Sequence, residues 1–180
     1  MNRLSSLALA AAAFVCTTSP LLAQQKRVSP PDVTTTKVDD GYVSVYYSRP
    51  FTKDAKSGEA RKIWGELVPF GKVWRLGANE ATLLVTQKGL TFGETAVPAG
   101  AYSLFMLPME DGTAKLIISK QLGEWGSYSY DEKQDVARID LKKEELPAPV
   151  DQFTIALEKS GMVSFAWADQ KYSAMFSGKK

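Results

Sequence analysis

Between Gly71 and Thr82 the chain reads Gly-Lys-Val-Trp-Arg-Leu-Gly-Ala-Asn-Glu-Ala-Thr, which sets two cations, an amide, a carboxylate and an indole within twelve residues. These side chains suit polar recognition. Arg75 is a rigid planar fork of donors matched to a carboxylate or to sugar hydroxyls, Asn79 both donates and accepts, and Glu80 is an acceptor or a base. With Lys72, and with Arg49 upstream, they make up a candidate polar site. The same residues also have a structural reading, in which Arg75 and Glu80 form a buried ion pair where a loop crosses a sheet and Asn79 caps a turn. Buried paired charges commonly serve structure, and the structural reading is the one preferred.

A second group is aromatic. Trp125, Tyr128 and Tyr130 lie in a Gly- and Ser-rich stretch that runs on into Asp131. Rings on a loop form a stacking surface for sugars, with nearby polar groups taking up the hydroxyls. Tyr128 and Tyr130 share one side of an extended segment and are expected at the surface. Trp125, between Gly123 and Gly126, is expected to tuck inward. Trp64 and Trp74 are expected in the core, where large rings of a β-fold usually sit.

The composition closes other routes. The 180 residues include no His and one Cys, so a Ser-His-Asp triad cannot be built and the commonest metal ligand is missing. Asp131, Glu132 and Asp135 put three carboxylates in five residues. A calcium loop needs Gly at its sixth position, where Val136 stands, and Lys133 opposes a cation. A solvated turn is expected there, with no metal and no other cofactor. The net charge of +2 gives no basis for a nucleic-acid partner, which takes a clustered basic face. No Gly-rich loop leads into a helix, so a phosphate-binding loop is not expected either.

The elements that must position these groups are strands. Val43, Val45 and Tyr47 alternate with Tyr42, Ser44, Tyr46 and Ser48, the period-two signature of a strand with one buried face. Similar runs cover Thr82–Thr86, Ala101–Leu107, Lys115–Ser119, Val136–Leu141, Phe153–Leu157, Met162–Trp167 and Tyr172–Phe176. Turns are expected at Pro69–Gly71, Pro98–Gly100, Glu158–Gly161 and Asp169–Lys171, and a single helical turn at Lys142–Leu146 before Pro147. Many short strands at regular spacing predict one all-β domain, an antiparallel β-sandwich or jelly-roll-like fold, over residues 32–178. Residues 24–31 read as an extended lead-in.

The first 23 residues read as an address. A short basic start ending at Arg3, an apolar run from Leu7 to Val15, and Leu21-Leu22-Ala23 before Gln24 form the three regions of a secretory signal peptide. The apolar run is too short to span a bilayer, which takes ~20 apolar residues. A lipoprotein signal on Cys16 is disfavoured because Val15 stands where a small residue belongs. Cleavage after Ala23 leaves an exported chain, periplasmic or extracellular, with no cysteine and therefore no disulfide.

Several of these segments together carry a resemblance. Tyr47-Ser48-Arg49-Pro50, Arg61-Lys62-Ile63-Trp64-Gly65, the stretch from Gly71 to Thr82, Pro98-Ala99-Gly100-Ala101-Tyr102-Ser103-Leu104-Phe105 and Leu122-Gly123-Glu124-Trp125-Gly126 are similar in order and content to a bacterial exported family of unknown function. Its members carry YSRP, GRKIWG, LVPYGKVWRxGANEAT, LPAGxYSLF and a downstream W-G-x-Y-x-Y segment. Here Phe70 stands where Tyr is usual, and Glu59-Ala60 precede Arg61 where Gly is common. The resemblance implies export and fold and supplies no catalytic residue.

Two functions from different classes follow. One is a non-catalytic exported module that binds a glycan, a peptide or another envelope partner. The other is a hydrolase or lyase that uses Glu80, or another carboxylate, with Arg75 and Tyr102 as auxiliaries, and it requires a second carboxylate across an open cleft at ~5–10 Å. Edman sequencing of exported material is expected to begin at Gln24; an intact Met1, or a lipid on Cys16, would reject the signal-peptide assignment.

Overall fold

A computed structural model describes residues 27–179. The expected signal peptide (1–23), its cleavage point and Cys16 lie outside the described residues. The fold is nearly all β. Ten strands run in chain order: β1 Pro31–Val38, β2 Gly41–Ser48, β3 Thr82–Thr86, β4 Leu90–Phe92, β5 Thr95–Val97, β6 Gly100–Pro108, β7 Ala114–Ser119, β8 Asp135–Leu157, β9 Met162–Met175 and β10 Ser177–Gly178. Among the described residues the one helical element is a 3-10 turn at Glu132–Gln134. No helix of the described residues is long and apolar enough to cross a membrane.

Seven strands form one antiparallel sheet in the order β1-β2-β3-β6-β7-β8-β9, and a three-stranded sheet, β10-β4-β5, packs against it. The alternation in β2 is realised as read: Val43, Val45 and Tyr47 are buried, while Tyr42 and Tyr46 face out. The small sheet contributes Leu90, Phe92 and Val97 to the same core, giving a two-layered, sandwich-like arrangement. β6 and β7 are buried on both faces. Leu104, Met106, Leu116 and Ile118 belong to the core, and on the opposite face Phe105 and Ile117 are also fully covered. Part of that cover is Tyr130, whose ring meets Phe105 at 5.1 Å. The 120–134 loop is therefore laid across the outside of the sheet.

The large sheet curls until its first strands meet β8. The hydroxyl of Tyr47 accepts from the Ile155 N–H at 3.0 Å and donates to the Ile155 carbonyl at 3.3 Å. Arg49 donates through Nε to the Phe153 carbonyl at 3.0 Å and through Nη2 to Thr154 Oγ1 at 2.8 Å, and its Nη1 lies 3.2 Å from Asp32. The Phe153 N–H donates to the Pro50 carbonyl at 2.9 Å. Burial raises the Tyr47 pKa above its ordinary value, so the hydroxyl remains a donor throughout the neutral range. Inside this closure sits an aromatic cluster. Trp74 stacks on Trp167 with ring centres 5.8 Å apart, and meets Phe153 and Trp64 edge-on at 5.1 and 6.0 Å.

Two local expectations are corrected. Lys142–Leu146 is strand, not a helical turn, because β8 runs unbroken for 23 residues. It leaves β7 after Leu141 and pairs with β9 from Lys142 onward. Pro147 and Pro149 fall where the pairing jumps from Glu145 to Val150, so their missing N–H groups remove no ladder bond. Asp169–Lys171 is not a turn either. Ala168 alone adopts a left-handed backbone, φ 51°, and β9 bends there without ending. A strand not read from the sequence, Pro31–Val38, which offers little apolar alternation, pairs with β2 along its whole length.

Tyr47→Phe removes the bonds of a buried hydroxyl to Ile155 and its 3.4 Å contact with Asp32, and leaves the Ile155 N–H without that acceptor. A loss of about 1–3 kcal/mol is expected, read as a lower urea midpoint with unchanged slope; a midpoint equal to the parent's would show that the closure does not depend on this hydroxyl.

Candidate functional site

The segment from Val73 to Ala81 is pinned from four directions. Trp74 and Met106 exchange backbone hydrogen bonds of 2.8 Å in both directions, and the Trp74 indole N–H donates to the Gly77 carbonyl at 3.2 Å. The Thr82 hydroxyl donates to the Leu76 carbonyl at 2.6 Å, and the Thr82 N–H reaches the Arg75 carbonyl at 3.2 Å. The Ala78 N–H donates to the Ser48 carbonyl at 3.2 Å. Gly77 is required by that approach, since a Cβ there would lie 2.9 Å from the Ser48 carbonyl oxygen. Two non-glycine residues take left-handed backbone in this turn, Leu76 at φ 56° and Asn79 at φ 60°. Asn tolerates that region. A Leu there is strained by roughly 1–3 kcal/mol, which the complete burial of its side chain offsets.

The fourth contact is the aromatic loop itself. The Ala81 N–H donates to the Glu124 carbonyl at 2.9 Å, the Gly126 N–H to the Asn79 carbonyl at 3.0 Å, and Ser127 Oγ to the Val73 carbonyl at 2.9 Å. The polar and aromatic groups singled out in the sequence are thus neighbours on two loops bolted together through their backbones. Trp125 is 60% exposed and Tyr128 84% exposed. Beside them lies Arg75, whose Nε is buried with no hydrogen-bond partner among the described residues. Gly126 lies between ring and cation. Its φ is 77°, and a Cβ there would fall 2.9 Å from the Tyr128 ring and 3.4 Å from Arg75 Nη1.

The remaining candidates fall elsewhere or change role. Glu80 does not pair with Arg75. Its carboxylate takes Arg27 in a two-pronged contact at 2.8 Å, with both side chains about half exposed. The Arg27 hydrogen bond holds the Glu80 pKa below its ordinary value. Arg49 belongs to the closure on β8. Lys72 is exposed. Asn79 donates through Nδ2 to the Ser29 carbonyl at 3.4 Å. Trp125, expected to tuck inward, stands out in solvent: the left-handed glycines that flank it, Gly123 and Gly126, build a projecting tip. Tyr130, expected at the surface, is turned inward on Phe105, where its hydroxyl contacts Asp135 at 2.6 Å and Arg138 at 2.8 Å. Burial and the Asp135 hydrogen bond raise its pKa. Tyr102 is buried and donates to the Pro98 carbonyl at 3.0 Å, closing the turn before β6. Trp64 and Trp74 are core, as read.

The acidic stretch is committed internally. Asp131 caps the 3-10 turn by accepting from the Lys133 N–H, and Arg138 takes Asp135 at 2.8 Å and Glu132 at 3.4 Å. Three open clefts among the described residues are lined by other side chains, and neither Arg75 nor Glu80 contributes to any of them. The residue that sequence reasoning missed is Arg27. It lies in a segment read as loose lead-in, with no local signal that it would fold back onto a carboxylate 53 positions away.

A family model described as "Protein of unknown function (DUF2911)" matches residues 29–176. The chain belongs to this family. No curated protein and no solved structure matches it. Within the DUF2911 domain fall both bolted loops and the closure on β8, whereas Arg27 precedes the matched stretch.

Because the Arg27–Glu80 pair is half exposed, Glu80→Gln is expected to cost at most about 1 kcal/mol. A lowered carboxylate pKa contributes stability that is present above the unfolded value, ~4.3, and is lost as the pH falls through the folded one. The parent's advantage over Glu80→Gln in thermal melts should therefore be full above the unfolded value and shrink as the pH falls below ~4.3. A penalty of roughly 3–5 kcal/mol, the cost of breaking a buried pair, would show instead that Glu80 is a buried structural charge.

Proposed function

We propose that this DUF2911 protein is an exported, non-catalytic binding module that takes a glycan on Trp125 and Tyr128, with Arg75 and Asn79 supplying polar contacts. The observation that carries this reading is the pair of exposed rings on a loop whose backbone is bonded to the polar segment. Exposed rings on a flexible loop would lose entropy on binding; rings on a loop already held in place lose less. Indole and phenol faces stack on the apolar faces of sugar rings, and the neighbouring guanidinium supplies fixed donors for hydroxyls or an acidic substituent. Export rests on the signal-like first 23 residues, and the envelope or the extracellular space supplies polymers of this kind.

The alternative, a carboxylate-dependent hydrolase or lyase, draws less support. A general acid needs a raised pKa, and the Glu80 carboxylate is held ionised by Arg27.

Affinity electrophoresis against neutral and acidic polysaccharides tests the proposal. Trp125→Ala and Tyr128→Ala should each lower retention on a bound polysaccharide by roughly tenfold in affinity, about 1.4 kcal/mol. Because both side chains are exposed, neither change should move the melting free energy by more than about 0.5 kcal/mol. Binding that survives both substitutions would overturn the platform, and turnover of a polysaccharide abolished by Glu80→Gln would install the alternative.

A further inference from the structure

The Arg61-Lys62-Ile63-Trp64 segment plays no part in the loop platform, yet it forms one wall of an open cleft of about 390 Å³, together with Phe70. The opposite wall is Pro149 with Ala168, Asp169 and Gln170. That volume lies within the ~300–1,000 Å³ of small-molecule sites. The cleft opens where β8 and β9 part, between the Glu145–Gln170 and Val150–Ala168 pairs. Irregular pairing of this kind re-aims side chains and is over-represented beside functional sites. At the same point Ala168 holds a left-handed backbone, φ 51°, which an L-residue keeps only when its surroundings enforce it.

The donors are fixed and one is incompletely matched. Arg61 Nη2 donates to the Phe51 carbonyl, which sets the plane of the guanidinium. Its Nε is buried without a partner, and among the described residues no carboxylate lies within ion-pair distance of it. A buried donor with no partner calls for an explanation, and an anion on the guanidinium of this partly exposed residue is one. Lys62, by contrast, is matched by Glu66 at 3.1 Å. On the facing wall the Tyr172 hydroxyl meets Gln170 Oε1 at 2.9 Å. The Gln170 oxygen is thereby occupied and its amide N–H groups are left to donate. Between these donors the walls are apolar: Ile63, Trp64, Phe70 and Pro149.

We infer that this cleft binds a carboxylate carried beside an apolar or aromatic group, with Arg61 and Gln170 taking the carboxylate and the Ile63–Phe70 wall taking the apolar body. Such chemistry comes from a free organic acid or from the C-terminus of a peptide. The exposed carboxylate of Asp169 in the lining opposes multiply charged anions more strongly than a single negative group. No residue of this cleft belongs to the Trp125–Tyr128 platform, so the two proposals stand or fall separately.

The test is an amide-resolved NMR titration of the full mature chain with N-acetylphenylalanine and with its carboxamide, and in a second arm with Gly-Gly-Phe bearing a free or an amidated C-terminus. Saturable shifts at Ile63, Trp64 and Gln170, at least roughly tenfold weaker for the neutral partner of either pair, support the assignment, and the arm that binds tighter identifies the source. Arg61→Gln should erase the preference for the charged ligand while leaving shifts at Trp125 unaffected. The acid-against-amide comparison on the unaltered protein keeps the inference testable if that variant fails to fold. Equal binding of acid and amide, shifts that map away from this cleft, or no saturable shift with any of the four probes would overturn it.

Discussion

The burial of the Trp74 indole is the constraint on which most of this molecule depends. The ring stacks on Trp167, meets Phe153 and Trp64 edge-on, and donates its N–H to Gly77. Those partners come from the paired strands β8 and β9 and from the loop before β3, so one side chain ties that loop to the far end of the sheet. Aromatic contacts of this kind add about 0.5–1.5 kcal/mol each beyond the area they bury. The polar residues that follow Trp74 inherit its position. With the indole anchored inward, Arg75 must leave on the other side, and the tight turn at Leu76–Asn79 returns the chain to β3. The exposed platform is in this sense the outer surface of a core interaction.

The same interior is framed by a closure that uses side chains where a sheet would use backbone. Tyr47 and Arg49 reach β8 through a hydroxyl and a guanidinium, and their bonds to Ile155, Phe153 and Thr154 stand in for ladder pairs between strands that curl towards one another without forming a regular ladder. Arg is suited to this because its fork satisfies several acceptors at fixed geometry while the Asp32 carboxylate balances its charge.

What the sequence disclosed follows from how local each signal was. β2 was legible because one face is buried and one is wet, so Val43, Val45 and Tyr47 alternate cleanly against Tyr42 and Tyr46. β8 was not, because Lys142–Leu146 is charged and two prolines follow; only its tertiary pairing with β9 makes that stretch extended. The expected turn at Asp169–Lys171 failed for a related reason, since a single left-handed Ala168 bends a strand without ending it. The two groups of the candidate site were each visible, but their adjacency was not, because it is made largely by backbone bonds between residues about 50 positions apart, such as Gly126 to Asn79. Trp125 and Tyr130 exchanged their expected places because composition alone does not say which side of a loop faces the sheet. Glu80 illustrates the general limit: its partner was sought five residues away and lies 53 away.

The closure on β8 also has a kinetic side. Its bonds join residues separated by 104 and 108 positions, and the Thr34–Leu157 contact spans 123. Bringing such distant segments together costs loop-closure entropy before any contact repays it, which places sheets of this kind among slower folders, in the range of about milliseconds to seconds. The N-terminal hairpin of β1 and β2 can form early, but it has nothing to close against until the chain beyond Phe153 has been made. Until then the concave face that receives Trp74 stays open to water. Folding of this chain is therefore governed from its C-terminal third, and a truncation that removed β8 and β9 would leave the residues that carry the candidate site with neither a floor nor a frame.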